Sequence, residues 1–311
     1  MDSVDMPIKN VLHGIRKSQT NVGGWLTSLE NPMNWIRQDL MGKVSGIYLL
    51  VCFFIAAFGP AIAPFKPFEA TFHENGEVVR MEPPSGQHIF GTNHLGQDIL
   101  SQMLHGARIT ILVGVVAAIS SAAIGTAIAL LAGYHGGWLD QVLMRLADVA
   151  YGVPFLPFAI LWVALFGPRM SNIIVVISLF LWRTTARVVR SQVLALKERP
   201  FVLAAKAAGA SDTWIIWFQI LPNVLPFSFL YASFGIAWAV LMEANLSFLG
   251  FGDPRIVSWG QMLKVAFQAG AMRQAWWWIF PPGIALSLLV LSTFLVSRSY
   301  EEAVNPRLME R

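Results

Sequence analysis

The chain has 311 residues, 55% of them apolar and 13% charged, with a mean hydropathy of +0.56. The charged share is about half that of soluble domains, and the long uncharged runs point to a polytopic membrane protein rather than a soluble enzyme. The net charge of +4 is scattered between apolar runs, which excludes a nucleic-acid-binding face, and the single cysteine, Cys52, excludes an internal disulfide.

Residues 1–43 are polar and mixed, and no small-residue cleavage pattern follows the first apolar run, so no cleavable leader is expected. Trp25 and Trp35 suit either a short amphipathic piece on the membrane surface or a disordered tail. The first span is expected at 44–64, ended by Gly59, Pro60 and Pro64, long enough for a hydrocarbon core of about 30 Å. A polar excursion over 65–108 follows, with Pro83, Pro84 and Gly86. Within it, Gly91, Thr92 and Gly96 form a tight loop, and Asp98 caps a short helix over 98–105. His88, His94 and His105 match no common zinc spacing.

The second span, 109–134, repeats the small residues Ser121, Gly125 and Ala129 every fourth position, a spacing that lets helix backbones approach in lipid. A short turn, 134–140, leads to a third span at 149–166, with Pro154 and Pro157 inside it. The fourth, 170–189, crosses only if Arg183 and Arg187 snorkel to the headgroups. Then comes a polar insert, 190–223, rich in Lys and Arg. Its alanine-rich helix stops at Gly209, Ser211 or Asp212 caps a second helix, and Pro222 ends or bends that helix. The fifth span, 224–249, carries Glu243 and Asn245. The sixth, 275–296, opens on Trp276, Trp277 and Trp278, read as an interfacial belt. The fold class is therefore all-α, with six transmembrane helices. With both termini in the cytoplasm, fifteen of the twenty-two Lys and Arg fall inside and seven outside, as the positive-inside rule requires.

Three motifs carry a family resemblance. Phe90, Gly91, Thr92, Gly96, Asp98, Ser101, Gly106 and Arg108 resemble the FGTDxxGRDxxSRxxxGxR signature of dipeptide and oligopeptide ABC importer permeases. Asn93, Gln97 and Gln102 stand where that signature has Asp, Arg and Arg. Ala204, Ala205, Gly209, Leu221 and Pro222 resemble the "EAA loop" of ABC importer permeases, with Leu203 replacing its Glu. The run LSFLGFG…SWGQML, from Leu246, resembles the same permeases, and the chain's end matches their C-terminal pattern in part, at 297–300 and 305–307.

The resemblance implies a type I ABC importer permease fold in the inner membrane of a prokaryote, with its core at 106–298. It implies assembly with a homologous second permease, two ATPase subunits and an extracytoplasmic substrate-binding protein. ATP and Mg would be bound by the ATPase partners, with no cofactor in this chain. The segment Ala204, Ala205, Lys206, Ala207, Ala208, Gly209, Ala210, Ser211 and Asp212 would be the coupling helix that docks on an ATPase.

No GxxxxGK[ST] loop, HExxH, GxSxG or CxxC pattern supports catalysis in the chain itself. Glu243, Asn245 and Asp148 are the candidates for a translocation path. Glu243 would either meet a peptide amine or make a buried structural hydrogen bond. The cargo is expected to be a peptide, with oligosaccharides or metal chelates as alternatives. An ion-driven carrier would need paired ionisable groups in the membrane, and Glu243 and Asp148 have no evident partner in the sequence.

Overall fold

A computed structural model describes residues 40–304, so the expectation at Trp25 and Trp35, and the partial motif at 305–307, lie outside the described residues. The regular structure is helical. α1 spans Leu40–Ile62, α2 Ile99–His135, α3 Gly137–Gly152, α4 Phe155–Phe166, α5 Met170–Lys197, α6 Pro200–Ala207 and α7 Asp212–Ile215. A π-helical turn, Ile216–Ile220, joins α7 to α8, Leu221–Phe248. α9 is Trp259–Gln268, α10 Ala271–Gln274 and α11 Trp276–Val304. Five stretches are long and apolar enough to cross a membrane: α1, α2, α5, α7 through α8, and α11. α3 and α4 pass that test only as a pair bent by 92°.

The helix ends differ from expectation for identifiable reasons. The short helix expected at 98–105 is the first part of α2, which runs unbroken through Gly106. That glycine is a point of contact, because a Cβ there would lie 3.0 Å from the Trp259 ring. In the same way α1 passes Gly59, where a Cβ would lie 2.8 Å from the Leu104 carbonyl oxygen. The third span is broken. Val153, before Pro154, is held extended, and α4, with 12 residues, rises about 18 Å, short of a crossing. Pro222 neither ends nor breaks its helix. The π turn just before it donates Leu221 N–H to Ile216 O, five residues back, and this wider turn accommodates a residue with no N–H.

α2 is the axis of the bundle, packed against α5, α8 and α1, with α11 closing the far side against α1 and α8. Gly125 faces the α5 backbone so closely that a Cβ would stand 2.6 Å from Trp182 O and 2.9 Å from Ala186 N. A Cβ on Gly133 would stand 2.8 Å from Val193. Thr126 donates to Ser228 (2.7 Å), tying α2 to α8 in the interior. Three apolar clusters fill the bundle: one around Trp278 and one around Ile177 and Leu246, both reaching the end near the 63–98 loop, and one around Val193, Val202, Ile215 and Ile220 at the other end.

Gly125→Val is expected to destabilise the detergent-solubilised protein by about 1–3 kcal/mol through overpacking, read as a lowered unfolding midpoint. Gly86→Val, where a Cβ meets nothing within 4 Å, leaves that midpoint unchanged. Equal midpoints for the two variants would refute the close approach of α2 and α5.

Candidate functional site

The insert between α5 and α8 folds into a helix–turn–helix knob. Pro200 occupies the first turn of α6, where its missing N–H costs nothing. At the other end Gly209 takes the left-handed conformation (φ +83°), Gly209 N–H donates to Lys206 O and Ala210 N–H to Ala205 O, both at 3.0 Å. These two bonds form a Schellman turn. Ser211 then caps α7 by accepting from Trp214 N–H (3.3 Å). Val202 and Ile215 are buried against the third cluster, and Ala205 and Ala210 pack beside them. Leu203, Ala204, Lys206, Ala207, Ala208, Gly209, Ser211 and Asp212 face outward. Asp212 accepts a 2.6 Å hydrogen bond from the Tyr134 hydroxyl, so the knob is also fastened to the end of α2.

The loop 63–98 folds over the opposite end of the bundle. Asp98 caps α2 through Ser101 N–H (2.7 Å) and holds the buried His88 imidazole at 2.9 Å. Thr92 donates to Val79 O (2.7 Å) and accepts from Glu82 N–H (3.0 Å). Gly91 and Gly96 have positive φ, and a Cβ on Gly91 would strike Glu82 O at 2.4 Å and the Trp277 ring at 2.8 Å. Trp278 is fully buried and stacks on His94 (5.3 Å), so of the three consecutive tryptophans only Trp276 faces outward and the expected belt shrinks to one residue. His88, His94 and His105 do not converge: His105 bonds Ser101 O within its own helix.

The three amides that depart from the charged signature are bonded to one another. Asn93 donates to Gln97 (2.8 Å), Gln102 donates to the same Gln97 oxygen (2.8 Å), and Gln97 and Gln102 reach Phe68 O and Pro67 O. All three are buried. The network is neutral throughout, where the resembled signature carries an acid and two basic residues.

The path candidates fall in different places. Glu243 is 3% exposed. One of its oxygens accepts from Ser247 (2.6 Å), and the other has no partner. Gly260 of α9 crosses here, where a Cβ would lie 2.7 Å from Ala244 Cα. Asn245 points to the outside of the helix. Asp148 is not alone, contrary to the sequence reading: Arg187 pairs with it at 2.7 Å. The α5 arginines have partners within the bundle. Arg187 and Arg183 lie over the Tyr151 ring at 4.5 and 4.6 Å, Arg183 donates to Ala150 O (2.6 Å), and Arg190 grips Asp140 with two nitrogens. The spacing i, i+4, i+7 of Arg183, Arg187 and Arg190, matched by Asp140 and Asp148 eight residues apart, was the available signal for this face.

Between α8 and α9, Gly250 (φ +98°) closes a second Schellman turn, through Ser247 O and Leu246 O. Asp253 accepts from Arg255 at 2.7 and 2.9 Å and from Met170 N–H at 3.3 Å. The paired guanidinium holds the Asp253 carboxyl down at about 2.

The family described as "Binding-protein-dependent transport system inner membrane component" matches residues 125–310. The chain is 33% identical over 267 residues to a dipeptide transport system permease protein of Alkalihalophilus pseudofirmus, covering 85% of this chain and 86% of the relative. It is 34% identical over 267 residues to its counterpart in Bacillus subtilis, covering 85% and 82%.

Asn93→Asp is expected to lower the unfolding midpoint, since a buried carboxylate without a cation costs more than the roughly 1–3 kcal/mol of an unpaired neutral group; adding Gln97→Arg restores it. A double variant less stable than Asn93→Asp alone would refute the amide network as a neutral counterpart of a charged one. Asp253 supplies a pH-dependent contribution. Its carboxyl is lower in the folded state than the usual value near 3.9, so its stabilisation is complete above about pH 4 and is lost as pH falls through about 2. Asp253→Asn should therefore lie below wild type in thermal midpoint at pH 7 and converge with it in strong acid; a gap that does not change with pH would sink this assignment.

Proposed function

The chain belongs to the binding-protein-dependent transport system inner membrane components, and from that premise we propose that it is the permease subunit of a peptide ABC importer. It pairs with a homologous permease, receives cargo from a substrate-binding protein, and is driven by two ATPase subunits that hold ATP and Mg. The end carrying α6 and α7, with both termini, faces the cytoplasm, as the distribution of Lys and Arg favours. The 63–98 loop faces the binding protein. Peptide cargo rests on the names of the relatives.

The observation that carries the mechanism is the knob. Residues 204–212 protrude, while Val202, Ile215 and the Tyr134–Asp212 bond root them in α2, α5 and α8. An ATPase that grips the knob and moves therefore moves three spans at once. Closure of the ATPases on ATP turns the bundle toward the binding protein, and hydrolysis resets it. Glu243 serves the crossing of α8 and α9 rather than the cargo: it is sealed by Ser247 and the close approach of Gly260.

The test is reconstitution of this chain with its second permease, ATPases and binding protein in proteoliposomes, measuring dipeptide uptake and ATP hydrolysis together. Gly209 stands in open space, so its substitutions act through the backbone: its conformation and, for proline, the lost N–H bond to Lys206 O. A β-branched residue at positive φ costs about 1–2 kcal/mol, and proline cannot adopt that φ. Gly209→Val and Gly209→Pro are expected to lose uptake per ATP hydrolysed, while Gly209→Asn keeps it, because Asn visits the left-handed region. Wild-type coupling in Gly209→Pro would overturn the knob's role.

A further inference from the structure

Arg183 lies about 20 Å along α5 from Met170, at 1.5 Å per residue, and so within the apolar thickness of the bundle. Charges at such depth are costly and mark ion or substrate routes unless they are paired. Its two neighbours are paired: Arg187 with Asp148 and Arg190 with Asp140. Arg183 has no carboxylate in ion-pair range among the described residues. One nitrogen donates to Ala150 O, and its plane rests between the Tyr151 and Phe180 rings at 4.6 and 5.0 Å. A guanidinium has five donors, so most remain unspent.

Arg183 also lines a cavity of about 380 Å³ between α2, α5 and α8, walled by Phe180, Thr184, Tyr231 and Trp238. That volume lies in the range of small-ligand sites, as does the make-up of aromatic walls with one oriented charge.

We infer that this cavity is an anion-receiving station on the cargo route, in which the Arg183 guanidinium takes the terminal carboxylate of a short peptide while the aromatic walls hold its apolar part. The inference rests on the peptide-importer reading above. A carboxylate accepts two parallel N–H bonds from a guanidinium, and no side chain among the described residues supplies that carboxylate to Arg183. A lipid phosphate has related chemistry, and the experiment separates the two.

Cys52 is buried and is the only cysteine, so Cys52→Ser gives a clean background in which Thr184→Cys places one thiol in the cavity. In the reconstituted complex, the modification rates of that thiol by anionic and cationic methanethiosulfonates are compared on this chain by mass spectrometry. The anionic reagent is expected to be favoured. Arg183→Gln cuts the anionic-to-cationic ratio by roughly tenfold, the scale of one charge-assisted hydrogen bond, and Arg183→Lys largely preserves it. Dialanine slows modification in the Arg183 protein and dialanine amide does not.

A ratio indifferent to Arg183→Gln, equal protection by acid and amide, or a thiol that neither reagent reaches would each overturn the station. Protection that follows the phosphatidylglycerol content of the vesicle and ignores dialanine would give the site to lipid, and would overturn the cargo assignment as well. Dialanine uptake by the unmodified complex is measured alongside: uptake with a failed cavity test refutes the station alone, whereas no uptake refutes the peptide reading.

Discussion

Gly125 and Gly133 bring the backbone of α2 against α5, and the remaining geometry is arranged around that contact. In lipid, apolar side chains gain little by leaving one apolar surface for another, so helices associate through close van der Waals fit and a few interior hydrogen bonds. The bonds from Thr126 to Ser228 and from Ser178 to Ala117 O are of that kind. With α2 fixed against α5, the arginine face of α5 is turned to α3, and α3 bends away at Val153 and Pro154 to meet it. The same contact carries α6 and α7 at one end of α2 and the 63–98 loop at the other.

The ends of the helices obey a second constraint, that every buried backbone donor and acceptor find a partner. Glycines with positive φ at 209 and 250 close two Schellman turns at opposite ends of the stretch from α7 through α8. Both turns sit where the chain must reverse without leaving carbonyls unbonded. In the 63–98 loop, which has only isolated bridges, side chains do that work: Thr92, Asn93, Gln97, Asp98 and Gln102 satisfy backbone groups that a sheet or helix would otherwise have satisfied. The amide triad needs no ion because its members bond to one another. A single neutral residue facing two ions would leave a charge without a counterpart.

What the sequence made legible followed from local rules. Uncharged length located the crossing helices, and the left-handed turn at Gly209 followed from its place after an alanine-rich helix. What it hid depended on partners far along the chain. Gly106 and Gly59 look like helix stops until Trp259 and Leu104 are seen against them. Trp277 and Trp278 look interfacial until Gly91 and His94 are found beneath them. Pro222 looks like a terminator because the π turn that accommodates it has no sequence signature of its own. Asp148 looks unpaired because its cation lies on a different helix, 39 positions on. Among the candidate residues, the helix–turn–helix form of 200–215 was legible for the reason Gly209 was, whereas the burial of Glu243 and the exposure of Asn245 depend on where α9 crosses.

The three arginines of α5 show how such a distinction is decided by magnitude. Asp148 and Asp140 offset the cost of Arg187 and Arg190 directly. Arg183 has an evident structural use, in capping the carbonyl of Ala150 near the end of α3. That use needs one N–H donor, however, and a neutral amide supplies one. A cation costs up to about 2.5–3.5 kcal/mol at the centre of a membrane helix and less toward its end. Two aromatic faces return about 0.5–1 kcal/mol each where water reaches them and about 2 where it does not. They offset the charge but take none of the guanidinium's remaining N–H donors. A charge that the fold does not need, at a place where it is expensive, beside a cavity sized for a ligand, is accounted for by what passes through the bundle rather than by what holds it together.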